Sequence, residues 1–197
     1  MIAGVVLAAG GGSRFGSDKR QARLPDGRSL LEASLSAFVG QLDAVALVLP
    51  PDDAFGLALC VRYGLQPLPC ALNRAGMGHS LACGAAWALT LADCRGIVLG
   101  LGDMPAVRPH TVSQVAAALW QNKPVLPCHD GRAGHPRGLP SSCLAGLLDL
   151  SGDAGARDAV DWGQAVRLAL DDPGVLLDID RAEDLQVLAS WQAAADR

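Results

Sequence analysis

An uncharged apolar run, Ile2 to Ala9, enters three consecutive glycines, Gly10, Gly11 and Gly12, and then delivers Arg14 and Lys19. The run lacks the polar alternation of a half-exposed strand, so it predicts a strand buried on both faces, as in a parallel sheet. Without side chains, the glycines let backbone N–H groups close around an anion. Arg14 can grip phosphate oxygens through two parallel hydrogen bonds, and Lys19 adds a compact, mobile charge. Strand, glycine loop and two cations together predict a polyphosphate site.

Two familiar glycine loops fail on spacing. The dinucleotide fingerprint G-x-G-x-x-G fits Gly10 and Gly12 but then needs glycine where Phe15 stands. The Walker loop fits Gly11 and Gly16 but needs Lys-Ser or Lys-Thr where the chain has Ser17-Asp18. What remains is L-A-A-G-x-x-S-R-x-G-x-x-K, running from Leu7 through Ala8, Ala9, Ser13 and Gly16 to Lys19.

The rest of the composition narrows the class. A chain of 197 residues, half of them hydrophobic, suffices for a single domain over 1–197. A net charge of −4 offers no basic field for nucleic acid. The N-terminal apolar run is short and meets glycines rather than a cleavage site, which predicts neither a signal peptide nor a membrane span. Six cysteines never form C-x-x-C and read as reduced core residues of a cytoplasmic protein. Cys128, His129 and His135 lack a fourth ligand at zinc spacing.

Strand and helix signals then alternate. Ser29 and Glu32 form a capping box, with Leu31, Leu35 and Phe38 on one helical face and Gly40 as the stop. Ala44 to Leu49 reads as a second central strand, and Asp52-Asp53 can cap a helix to about Tyr63, ended by Gly64. Gly76, Gly78 and Ser80 look like a loop entering a helix N-terminus that offers another polar cradle. Gly96 to Leu101 is a third buried strand ending in Gly102-Asp103-Met104-Pro105. In an open parallel sheet ligands collect beyond the carboxyl ends of the strands, where a carboxylate such as Asp103 can hold a hard cation that bridges phosphates. Pro109 opens a further helix. Pro124 to Pro127 is a short strand, Cys128 to Gly138 a polar loop, and Ser142 to Leu150 a helix. Val175 to Ile179 is a last apolar run, after which Asp180 caps a helix from about Arg181 to Ala195. Strand–helix alternation predicts an α/β fold, Rossmann-like and three-layered, with a mostly parallel central sheet.

Five segments resemble one family in order. They are the loop to Lys19, Asn73 with Gly-Met-Gly-His-Ser, Leu-Gly-Asp-Met-Pro, Gly-His-Pro with Gly-Asp-Ala-Gly-Ala-Arg, and Asp-Ile-Asp-Arg-Ala-Glu-Asp-Leu. Together they are similar to the MobA-like nucleotidyltransferases, especially the molybdenum cofactor cytidylyltransferases. Leu-Ala-Ala-Gly, rather than Leu-Ala-Gly-Gly, resembles the cytidylyl branch and implies CTP over GTP. Two departures stand out: Arg181-Ala182 replaces the usual Thr-Pro, and Arg137-Gly138 follows Gly-His-Pro where an apolar strand is usual.

The resemblance implies transfer of CMP from CTP to molybdopterin with release of pyrophosphate and dependence on Mg²⁺. The alternatives are another nucleotide or phosphorylated acceptor, or a non-catalytic nucleotide-binding escort of the cofactor. A recipient molybdoenzyme or its chaperone is an implied partner. Leu7, Ala8, Ala9, Gly10, Gly11, Gly12, Ser13 and Arg14 are expected to bind the nucleotide, the N–H groups from Ala9 to Gly12 with Arg14 at the β- and γ-phosphates and Lys19 nearer the α-phosphate. Asn73, Gly78 and Ser80 are expected at the nucleoside, Asp103 and Asp180 at Mg²⁺ with Asp178 behind them, and His135 at the acceptor.

Overall fold

The computed structural model describes residues 1–10, 18–72, 75–181 and 183–188. Its strands are β1 (Ile2–Leu7), β2 (Ala44–Leu49), β3 (Gln66–Pro69), β4 (Gly96–Leu101), β5 (Val125–His129), β6 (Arg132–Ala133), β7 (Arg137–Pro140) and β8 (Val166–Ala169). They form one sheet in the order β3-β2-β1-β4-β7-β5-β6, with β8 on β5. The run from β3 to β4 is parallel, and β7 enters antiparallel beside β4.

Helices cover the sheet, among them α1 (Leu30–Ser36), α2 (Ala54–Tyr63), α3 (Met77–Thr90), α4 (Pro109–Ala118), α5 (Ser141–Leu147) and α6 (Ala156–Ala159). Alternate residues of β1 serve opposite cores. Val6 and Ala8 pack with Leu35, Leu59 and Val112 on the α1, α2 and α4 side. Val5, Leu7 and Ala9 pack with Leu81, Ala85 and Leu144 on the α3, α5 and α6 side. Burial on both faces explains why β1, β2 and β4 carry no polar alternation. Among the described residues no helix is long and apolar enough to cross a membrane. All six cysteines are free thiols.

Local signals behave as their chemistry requires. Ser29 and Glu32 close the capping box of α1, Asp53 accepts from the Gly56 N–H at the start of α2, and Gly64 ends that helix in the left-handed region. Three expectations fail. The segment expected as a polar loop from Cys128 to Gly138 contains β6 and the start of β7, because edge and filler strands this short carry no periodic pattern. β3 and β8 carry prolines or exposed alternation and go unread for the same reason. Asp180 does not cap the last helix: Asp184 Oδ2 accepts from the Asp180 and Arg181 N–H groups, at 2.9 and 2.7 Å, and the Asp180 side chain turns elsewhere. The helix that follows is described over 184–188.

Glu32 does more than cap. Its Oε1 accepts from Tyr63 at 2.7 Å and Arg62 at 2.6 Å, tying α1 to the end of α2 with the carboxylate buried. The Tyr63 hydrogen bond, opposed by burial and supported by the Ser29 N–H and the Arg62 charge, holds this carboxyl below its ordinary value of 4.5. A depressed folded value means the contribution is present above the unfolded pKa and is lost as pH falls through the folded one. Glu32→Gln is therefore expected to lower the Tm near neutrality, with the deficit shrinking below about pH 4 in scanning calorimetry. A deficit independent of pH would refute this.

Candidate active site

β1 and β4 end side by side, and their ends are drawn unusually close. A Cβ on Gly102 would lie 3.0 Å from the Ala8 Cβ and 2.9 Å from Leu31 Cδ1, so glycine is what lets Asp103 emerge directly beside the end of β1. The Gly102 N–H donates to the Leu7 carbonyl at 2.9 Å. A third segment arrives from far along the chain: the Ile179 N–H donates to the Asp103 carbonyl at 2.9 Å, setting Asp180 next to Asp103.

Lys19 enters this convergence. Its ammonium donates to Asp103 Oδ2 at 2.8 Å, Asp180 Oδ1 at 3.0 Å and the Ile179 carbonyl at 3.1 Å, which uses all three of its N–H bonds. The lysine side chain is only 15% exposed. Burial disfavours its charge, but the two carboxylates outweigh burial and the net shift is upward, so Lys19 stays an ammonium. Asp103 Oδ1 is buried with no hydrogen-bond partner. The two carboxylates, with Asp103 Oδ1 to spare, and the Ile179 carbonyl make an all-oxygen set whose chemistry would suit a hard divalent cation such as Mg²⁺ or Mn²⁺.

The placement of Lys19 depends on a residue the sequence reading passed over. Arg20 Nε and Nη2 bond the Asp18 carboxylate at 2.9 and 2.7 Å, and Nη1 bonds the Ala8 carbonyl at 3.2 Å and Asp53 Oδ2. Asp53 is at the same time the cap of α2. One guanidinium thus fixes the segment after the glycine loop to the end of β1 and to α2. A Lys-Arg pair followed far downstream by a doubled Asp gave no local sign of this bridge.

The other expected site residues are distributed unevenly. Gly11, Gly12, Ser13, Arg14 and Asn73 lie outside the described residues. Gly10 is exposed at the end of β1, whereas Leu7, Ala8 and Ala9 are buried, so the side chains of these three face the cores. The Gly78 N–H donates to the Gly152 carbonyl at 2.9 Å, and a Cβ there would meet the Ser151 nitrogen at 2.7 Å. Gly76, at φ +120°, likewise abuts the Gly152 carbonyl. These glycines dock α3 onto the 151–152 turn, and the Gly78 amide is committed to that contact. Ser80 is buried one turn further on. Asp178 is exposed. His135 sits in a crevice with Phe38, Gly100, Leu101, Met104 and Val107, and burial with the nearby Arg137 charge pushes its imidazolium down to about 3. It is a neutral imidazole at any physiological pH.

Removing the Arg20 guanidinium leaves Asp53 buried against a missing partner. Arg20→Ala is expected to cost about 3 kcal/mol, since breaking a buried pair leaves an uncompensated charge. In a chain of this length that lowers the Tm by about 6–12 °C. A shift under a third of this would show the bridge to be incidental.

Comparison with known proteins shows the family and the fold. The chain is 32% identical to nicotine blue oxidoreductase of Paenarthrobacter nicotinovorans over 173 residues, 79% of either protein. It is 28% identical to a probable molybdenum cofactor guanylyltransferase of Mycolicibacterium paratuberculosis, across 98% of this chain and 97% of that one. The manganese complex of Rv0371c from Mycobacterium tuberculosis superposes with a TM-score of 0.76 at 28% identity, over 96% of this chain and 98% of that chain. The sequence pattern of the MobA-like NTP transferase domain matches residues 4–194, and the chain belongs to that family of nucleotidyltransferases.

Proposed function

We propose that this nucleotidyltransferase moves a nucleoside monophosphate from CTP or GTP to the terminal phosphate of a molybdopterin-type acceptor, releasing pyrophosphate. The observation that carries the reading is the Lys19 ammonium seated on Asp103 and Asp180 at the edge of β1 and β4. A phosphate nucleophile is already ionised near neutrality, so no general base is required. Its oxygen forms a bond to the α-phosphorus while the bond to the bridging oxygen breaks, and pyrophosphate leaves with the electron pair. The obstacle is electrostatic: two polyanions meet while negative charge grows on the leaving group. Positioning and fixed positive charge therefore supply most of the rate.

Lys19 is assigned to the α-phosphate, and Arg14 with the amides of Gly10, Gly11 and Gly12 to the phosphates beyond it. Asp103 and Asp180 would hold Mg²⁺ through the all-oxygen set described above, which would supply positive charge beside the phosphates. The same oxygens now solvate the Lys19 ammonium, so lysine and metal compete for them. In the structure the lysine neutralises the acidic pair, and its flexible stem would let it serve phosphate instead.

Donor choice rests on two unlike supports. Leu7-Ala8-Ala9-Gly10 resembles the cytidylyl branch, whereas several of the curated relatives are named guanylyltransferases. Ala9 is buried in the core facing α3, so its methyl cannot itself select a base. The test is pyrophosphate release with CTP and with GTP, each with molybdopterin and Mg²⁺ or Mn²⁺. Release that needs both acceptor and metal, with at least one of the two nucleotides, is the expected result, and its absence with both would overturn the reading. The similarity to nicotine blue oxidoreductase favours a second reading, electron transfer at the same edge. Turnover of nicotine blue in place of pyrophosphate release would mark it.

Lys19→Ala and Asp103→Ala are both expected to abolish pyrophosphate release with the fold intact by circular dichroism. They should differ in metal binding. Without nucleotide, Lys19→Ala is expected to bind Mn²⁺ about tenfold tighter or more, because two close carboxylates lose their internal cation. Asp103→Ala should bind it more weakly. Water-proton relaxation reads both, and equal affinity in wild type and Lys19→Ala would show that lysine and metal do not share the site.

A further inference from the structure

Arg137 opens β7 opposite Leu99, so it stands at the edge of the sheet where β4 runs on to Asp103. It has the same strand parity as Leu139, which is buried on the α3, α5 and α6 side. There its guanidinium lies over the Trp162 ring, 5.0 Å from the centroid. Trp162 is itself held by donation from Nε1 to the Ala156 carbonyl at 3.3 Å, immediately before Arg157. The start of α6 adjoins the start of α3, where the Met77 side chain reaches to 3.4 Å of a Cβ position on Gly155.

This arginine combines burial with a missing partner. Arg20, Arg28 and Arg62 are each matched by a carboxylate, and the exposed Arg23 and Arg167 donate to backbone carbonyls instead. Among the described residues no carboxylate pairs with Arg137, and its Nε is buried with no hydrogen-bond partner. Burial and the Arg157 charge both hold it below the usual guanidinium value. A half-buried cation facing a second cation costs free energy that an arriving anion would offset. Stacking on indole fixes the guanidinium plane and leaves its fork free for two parallel hydrogen bonds to one phosphate.

We propose that Arg137, held flat on Trp162 and reinforced by Arg157, is the residue that binds the phosphate of the acceptor and so selects a phosphorylated over an unphosphorylated one. The proposal rests on the nucleotidyl-transfer reading for the identity of the acceptor, but its test needs no turnover. Isothermal titration compares binding of molybdopterin and of its dephosphorylated form. Wild type is expected to prefer the phosphorylated form at least tenfold. Arg137→Leu should lose that preference while its nucleotide affinity stays unchanged, Arg137→Lys should keep part of it, and Arg157→Ala should weaken it less than Arg137→Leu. If Arg137→Leu does not fold, the lysine and Arg157 variants carry the test. A preference that survives in Arg137→Leu, or that wild type lacks, overturns the proposal. Failure of pyrophosphate release in wild type with the binding preference intact would instead sink the transfer reading and leave this subsite standing.

Discussion

An ammonium held between two carboxylates organises the active edge of this protein. Asp103 and Asp180 come from segments far apart in sequence, and without a cation between them their charges would drive them apart or force one to protonate. Lys19 meets both and a backbone carbonyl within 3.1 Å. In doing so it closes three chain ends, after β1, after β4 and after Val175, into one place. Within the fold the interaction is structural, and under the proposed reaction the same lysine and carboxylates would serve a polyphosphate and a metal.

Rigid surroundings make that exchange specific. Gly102 allows β1 and β4 to end in contact, and Arg20 fixes the backbone on the near side of Lys19 through Ala8 and Asp53. On the far side the Ile179–Asp103 backbone bond holds Asp180 in register. Lys19 sits on a long flexible stem, which suits its ammonium to more than one set of oxygen partners.

The sheet divides the work. Its parallel half, β3 to β4, carries the strand ends that present Gly10 and Asp103, as open α/β sheets present ligands at carboxyl ends. The antiparallel insertion of β7 beside β4 brings a strand back to the same edge from the opposite direction. That reversal is what puts Arg137, a strand-opening residue, level with residues that close β4. A charged residue in this position would be costly in a sheet interior, and here it faces Trp162 at the rim.

Much of the fold was legible in local chemistry. Uninterrupted apolar runs marked β1, β2 and β4, since burial on both faces leaves no reason for a polar residue. Ser29, Asp53, Gly64 and Pro109 marked helix ends, because orphan N–H groups and left-handed turns accept few residue types. Lys19 and Asp103 could be singled out by their positions just beyond strand ends. By contrast, β3, β6, β7 and β8 were opaque, being too short or too proline-rich to show a period. Gly76 and Gly78 read as loop flexibility or a ligand cradle, and turned out to admit the backbone of 151–152. Asp180 read as a cap, and its side chain was taken by Lys19 while Asp184 capped instead. The chain by itself determined which segments become strands and helices and which cations and carboxylates flank their ends, because those follow from neighbours within a few residues. Only the tertiary structure decided that Lys19, Asp103 and Asp180 share one set of hydrogen bonds, that Arg20 bridges β1 to α2, and that Arg137 lacks a carboxylate. Charge pairing over such sequence distances is set by where the sheet edge brings the chain, and spacing along the chain carries no record of it.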